Sequence, residues 1–250
     1  MYKLWLKIII AEKNMGFAQQ IFVSSSRSAS DIIQTGNGFF LDYKEHIFFV
    51  SANHVVFCVS NPYAFIVSLN HKKRSNNAHE LTYVNSYEEM AFIEGEPTIH
   101  KFTPLSAKTY DIVFSKVCPN ELQYKDIGLF LIDMDMDTNI QVIKADSLKM
   151  PKSNINCIIK GKIAENKGNS IFKMNSKKYE IQYDNKQLDD LFYFNIETDD
   201  DLSGLSGSPV FDSNNYWIGM LIEQNKIEKC VSIVSGTKII EVIDNLYFSS

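Results

Sequence analysis

The sequence predicts an all-β fold. Apolar runs are four to eight residues long, rich in β-branched and aromatic residues, and bounded by polar turns. They follow one another without the helical stretches that alternating β-α-β units require. Only one segment, near the C-terminus, reads clearly as a helix. Short strands at this spacing build sandwiches or barrels.

Taken in order, the first ten residues carry the apolar stretch Leu4, Trp5, Leu6, interrupted by Lys7 and resumed by Ile8, Ile9 and Ile10. It is too short for a membrane span and lacks a small-residue cleavage site, so it reads as a buried strand or helix of the domain. Residues 39–42 and 47–51, joined by Tyr43-Lys44-Glu45, form a hairpin. Further strands are expected at 64–69, 112–117, 127–132, 157–162, 179–183, 191–194, 217–222 and 230–234. The helix covers 238–246: Ile239, Ile240, Ile243 and Leu246 share one face, and Thr237 or Ser235 can cap it. Acidic and polar residues between 133 and 156 separate two strand-rich halves, which sets the expected domains at 1–135 and 136–250. No internal repeat is present.

Composition narrows the function. With 250 residues, 45% hydrophobic and 22% charged, the chain buries a sizeable core and is neither disordered nor fibrous. The net charge is −5, and of 25 basic residues only Arg27 and Arg74 are arginines. Nucleic acid is therefore not an expected partner; the basic stretch from His71 to Arg74 adjoins Ser75-Asn76-Asn77 and reads as a solvated loop. Cys58, Cys118, Cys157 and Cys230 form no close pair, which argues against a zinc knuckle and names no disulfide framework. His46, His71, His79 and His100 stand at no ligand spacing, so neither a metal nor another cofactor is expected. A reduced, cytoplasmic protein that does not engage a membrane follows.

Three segments carry chemistry. In the first, Gly36-Asn37-Gly38-Phe39 opens a hairpin that ends in Ser51-Ala52-Asn53-His54. In the second, Tyr110-Asp111 heads an apolar strand. In the third, Leu202-Ser203-Gly204-Leu205-Ser206-Gly207-Ser208-Pro209 flanks a serine with glycines. A serine hydroxyl is a weak nucleophile and needs a base within hydrogen-bond reach, which imidazole supplies near neutral pH. A carboxylate fixes the imidazole tautomer. Gly204 lets the backbone turn its N–H inward beside that of Ser206, and two such donors make an oxyanion hole.

At these segments the chain resembles the chymotrypsin-like (trypsin-fold) serine proteases, nearest to bacterial-type trypsin-like peptidase domains without a signal peptide. Ser51-Ala52-Asn53-His54 is similar to the family's Thr-Ala-Ala-His. The stretch from Asp111 to Val117 is similar to its Asp-Ile-Ala-Leu-Leu-Lys-Leu strand, and Gly204-Leu205-Ser206-Gly207-Ser208-Pro209-Val210 to its nucleophile loop. The likeness spans roughly 20–248. It implies two antiparallel six-stranded β-barrels with a C-terminal helix and a site in the cleft between them. His54 and Asp111 would come from the first barrel and Ser206 from the second. The implied activity is a serine endopeptidase acting on protein or peptide, with the Gly204 and Ser206 N–H groups as oxyanion hole. Asp126, also ahead of an apolar strand, is the alternative acid; the lysine five residues after Asp111 favours Asp111. Asp200, six residues before Ser206, falls where trypsin-like members select Lys or Arg before the cut, unless it belongs to a solvated acidic loop. Leu205 replaces the Asp that pairs with a newly cut N-terminus in secreted zymogens, so that activation is not expected, and restraint by a regulatory or activating protein remains open. A catalytically silent binding or regulatory module on the same scaffold is the alternative function.

Overall fold

The structure is a computed structural model. It describes residues 7–10, 16–24, 32–56, 63–66, 91–93, 96–98, 102–104, 126–132, 141–166, 171–188 and 190–248. The N-terminal half supplies β1 (Lys7–Ile10), β2 (Ala18–Ser24), β3 (Ile32–Tyr43), β4 (His46–Ala52), the one-turn helix α1 (Asn53–Val56), β5 (Tyr63–Ile66), β6 (Ala91–Ile93), β7 (Glu96–Thr98), β8 (Phe102–Pro104) and β9 (Ile127–Ile132). There follow β10 (Val142–Lys144), β11 (Asn156–Asn166), β12 (Ile171–Leu188), β13 (Leu191–Asn195), β14 (Pro209–Asp212), β15 (Trp217–Asn225), β16 (Cys230–Ser235) and α2 (Gly236–Ile243).

The first sheet runs β5-β2-β3-β4-β9-β8, with β10 added parallel to β3. Its centre is the β3–β4 hairpin. Lys44 and Glu45 both take positive φ, 49° and 66°, which gives the two-residue turn a twist matching its strands. The second sheet runs β12-β11-β14-β15-β16-β13 and closes where β13 pairs back onto β12, making a six-stranded barrel. β1 extends it at the edge, parallel to β12. Of the two closed six-stranded barrels expected, one is closed among the described residues; the described strands of the other sheet show no closing pair. Between β5 and β9, where further strands of the first sheet would have to arise, only β6, β7 and β8 are described. β1 joins the second sheet and β10 the first.

Two cores result. Cys157, Ile159, Phe194, Val210, Leu221 and Val231 fill the closed barrel. The other core joins the two halves: Phe39, Phe48 and Val50 of the first sheet pack with Phe211, Trp217 and Met220 from the outer side of β14 and β15. Phe39 and Trp217 meet edge to face at 5.6 Å. α2 seals this core with Ile239 and Ile243, both fully buried. The Ser235 hydroxyl caps it, accepting from the Lys238 N–H at 3.1 Å. The π-helical turn Asp244–Phe248 follows, and there Asp244 accepts from Lys44 at 2.6 Å and from the Tyr43 hydroxyl at 3.0 Å, strapping the C-terminal end onto the β3–β4 turn.

β2 was not expected, and β12 runs 18 residues where the sequence suggested five. Polar residues on its exposed face conceal the length of β12 from an apolar-run reading. The strand expected at 112–117 lies outside the described residues.

Candidate active site

β4 pairs with β9 in a register that places Ala52 opposite Ile127. Asp126, one residue earlier, therefore stands beside the start of α1. The Asn53 N–H donates to its carbonyl at 3.2 Å, and the His54 N–H donates to its Oδ1 at 2.7 Å. Its Oδ2 lies 2.5 Å from His54 Nδ1. A carboxylate there accepts a hydrogen bond from Nδ1–H and leaves the lone pair on Nε2. The His54 side chain is 45% exposed and that of Asp126 13%, so the acid sits behind and the imidazole faces outward. Partial burial works to lower the His54 pKa. The hydrogen bond and charge of Asp126, with the Glu223 charge adding, outweigh it and hold the pKa above the ordinary histidine value. Asp111 lies outside the described residues; among the described residues the carboxylate at His54 is that of Asp126, the alternative acid.

Ser206 sits in a tight turn leading into β14. Gly204 and Gly207 take φ of 84° and 88°, a region that side chains avoid. The turn is braced on all sides. The Leu205 N–H donates to Leu202 O and the Ser208 N–H to Leu205 O, both at 2.9 Å, while the Gly207 N–H donates to Leu221 O at 2.8 Å. Leu205 is fully buried in the closed barrel's core, which explains why an apolar residue occupies this position. No hydrogen bond among the described residues takes up the N–H of Gly204 or of Ser206.

The turn and the strand that leads to the histidine come from different sheets, and both bond Asn37 of β3. The Asn37 N–H donates to Ser206 O at 2.8 Å, and the Ser51 hydroxyl donates to Asn37 O at 2.7 Å. Ser51 is three residues before His54. The approach is close enough that a Cβ on Gly207 would stand 1.8 Å from Asn37 O.

Asp200 carries two expectations, a pocket carboxylate or a member of a solvated acidic loop. A specificity carboxylate would be buried at a pocket floor, but Asp200 is exposed and its Oδ2 accepts from the Tyr179 hydroxyl at 2.8 Å. The run from Asp199 to Asp201 is exposed to solvent, and Lys226 pairs with Asp201 at 3.3 Å. Burial first, then the Asp200 hydrogen bond, pushes the Tyr179 pKa up to about 12.

The remaining described groups offer no other centre. No group of three or more His, Cys, Asp or Glu among the described residues could hold a metal ion. No helix among them is long and apolar enough to cross a membrane. Cys157 and Cys230 are buried and not in a disulfide, and burial, with the Asp212 charge adding, raises the Cys157 thiol to about 12. Two residues that sequence reasoning passed over adjoin the site: Asn37, 0% exposed, and Lys162, 7% exposed. The signal for Asn37 was a polar residue between two strand glycines.

No family model matches the chain, and no curated protein matches it. Solved structures do. The serine endoprotease of Yersinia pestis superposes with a TM-score of 0.52 at 11% identity, covering 92% of this chain and 62% of that one. The chain thus spans about 62% of the length of that structure. A mutant of the tobacco etch virus protease gives 0.49 at 12% identity over 93% of this chain and 79% of that one. The MamO protease domain from Magnetospirillum magneticum gives 0.49 at 8% identity over 89% and 94%. The Yersinia pestis likeness establishes a trypsin-like protease fold.

Proposed function

We propose that this chain is a serine endopeptidase working through an acyl-enzyme, with Ser206 as nucleophile, His54 as base and Asp126 as the orienting acid. The observation that carries the reading is the two-point grip of the Asp126 carboxylate on the N–H and Nδ1 of His54. It prepares Nε2 to accept a proton, and a purely structural histidine has no need of it. The glycine-flanked Ser206 turn with two uncommitted N–H groups supports the same reading.

In this mechanism Ser206 Oγ attacks the scissile carbonyl carbon while its proton passes to His54 Nε2. The oxyanion meets the N–H groups of Gly204 and Ser206, a contribution of about 3 kcal/mol for each such donor elsewhere. The imidazolium, stabilised by ionised Asp126, returns the proton to the leaving amine. Water then follows the same path to release the acid. Asp200 gives no physical basis for choosing Lys or Arg before the cut, so the reading commits to peptide substrates without that preference. A reduced, cytoplasmic setting belongs to the proposal, supported by the buried thiols of Cys157 and Cys230, which are not in a disulfide.

The experiment is fluorophosphonate labelling alongside peptide hydrolysis, for the wild type and Ser206→Ala. Labelling of the wild type alone is expected, with turnover in the variant down about 10⁶-fold. Cleavage retained in clean Ser206→Ala protein, or a wild type inert to the probe, refutes the assignment.

A further inference from the structure

Asn37 has no solvent exposure, yet it is not merely a tolerated polar residue in a strand. It makes five hydrogen bonds to three parts of the chain. Its N–H donates to Ser206 O at 2.8 Å, and its carbonyl accepts from Ser51 Oγ at 2.7 Å. Its Oδ1 accepts from the Lys162 N–H at 2.8 Å. Its Nδ2 donates to Gly204 O at 2.7 Å and to Lys162 O at 2.9 Å. Two carbonyls and one N–H around the side chain determine which end of the amide is nitrogen, because the opposite assignment would set oxygen against two oxygens.

The two bonds to the Ser206 turn fall at informative places. The N–H groups that would meet an oxyanion belong to the peptides 203–204 and 205–206. Asn37 touches neither. It binds the carbonyls of the next peptide in each case, 204–205 and 206–207. The other ends of those peptides are also tied, through Leu205 N–H to Leu202 O and Gly207 N–H to Leu221 O. Every second peptide of the turn is thereby clamped at both ends. The 205–206 carbonyl bonds the Ser208 N–H, and in a trans peptide the Ser206 N–H then points the opposite way. We propose that Asn37 is the positioning residue of the oxyanion hole, holding the Gly204 and Ser206 carbonyls on the far side of the turn so that the N–H groups of the same two residues face substrate. The assignment rests on the peptidase reading. A serine at this place has one donor on a shorter side chain and cannot serve both Gly204 O and Lys162 O.

The test uses the full chain carrying Asn37→Ala or Asn37→Ser. Hydrogen exchange at the Leu205 and Gly207 amides, kcat and KM on a peptide, and the low-field NMR resonance of the His54 Nδ1 proton are measured. In Asn37→Ala, kcat falls about 10²- to 10³-fold with KM within about threefold. Exchange at both amides quickens roughly 10- to 100-fold. The His54 resonance stays, because Asp126 and His54 are joined without Asn37. Asn37→Ser recovers part of kcat and carries the same readouts if the alanine variant does not fold. Unchanged exchange and kcat in a folded variant of a probe-reactive protein overturns the assignment while the peptidase reading stands. Loss of the His54 resonance together with kcat overturns it too, since Asn37 would then support the whole site. A wild type inert to fluorophosphonate whose exchange still quickens in Asn37→Ala overturns the peptidase reading and supports Asn37 as the residue that holds this turn.

Discussion

Lys162→Met probes a buried charge. Lys162 lies in β11 with its backbone held by Asn37, and it is 7% exposed. Among the described residues no hydrogen bond or carboxylate meets its ammonium. Burial alone pulls its pKa from 10.5 down to about 8. At pH 7 the group is still charged, so the native state carries a penalty that the unfolded chain does not. The drop is 10.5 − 8 = 2.5 units, and at 1.36 kcal/mol per unit the penalty is about 3 kcal/mol. Its sign over pH follows from proton binding. Between pH 8 and 10.5 the unfolded chain holds a proton that the native state has released, so wild-type stability rises with pH across that window. Methionine keeps an unbranched side chain, one atom shorter, and removes the charge. The variant is therefore more stable than wild type by about 3 kcal/mol at pH 7, roughly 6–12 °C in Tm, and this electrostatic advantage shrinks to about 1 kcal/mol at pH 10. Urea titrations of both proteins at the two pH values and one ionic strength measure it, because other titrating groups cancel in the double difference. A methionine variant less stable at pH 7, or an advantage equal at both pH values, would refute the reasoning and require an acceptor for the ammonium.

Asp126→Asn lowers turnover on the order of 10⁴-fold and moves the acid limb of the pH–rate profile to lower pH, because the carboxylate that holds the His54 pKa up is gone. Asp111→Asn stays near wild type; the opposite pattern in steady-state kinetics returns the role to Asp111. Gly207→Ala, with φ of 88° and a Cβ only 1.8 Å from Asn37 O, costs more than about 3 kcal/mol. Gly204→Ala meets nothing nearer than Thr35 Oγ1 at 3.4 Å and costs about 1–2 kcal/mol for the left-handed backbone alone; equal losses in thermal melts refute the contrast. Asp200→Ser leaves cleavage preference in a peptide library unchanged, whereas disappearance of a Lys or Arg preference restores Asp200 to a pocket.

Local chemistry was legible in the sequence, and long-range register was not. The Ser206 turn could be read because its glycines are needed for backbone angles within a few residues. The α2 cap could be read for the same reason, since the Ser235 hydroxyl reaches only to Lys238. The acid could not be chosen, because Asp111 and Asp126 both precede apolar strands and only the pairing of Ala52 with Ile127 puts one of them at His54. Asn37 was visible as a residue but not as a hub, since its partners stand 125 and 167 positions away. Asp200 was placed by its spacing from Ser206, yet the Tyr179 hydroxyl, on a strand 21 positions earlier, decides where it points.

The clamp between Asn37 and the Ser206 turn also bears on how the proposed peptidase would be made. Its two ends are 167 residues apart, counted from Asn37 to Gly204. On a ribosome adding about 5–20 residues per second, the strand bearing Asn37 waits many seconds for its counterpart to emerge. Throughout that interval the histidine and its acid can already be in place, since only 72 residues separate them. The nucleophile turn cannot. On the peptidase reading, a nascent chain would gain cutting power only after the residues of the Ser206 turn and β15 have emerged and the two sheets have docked.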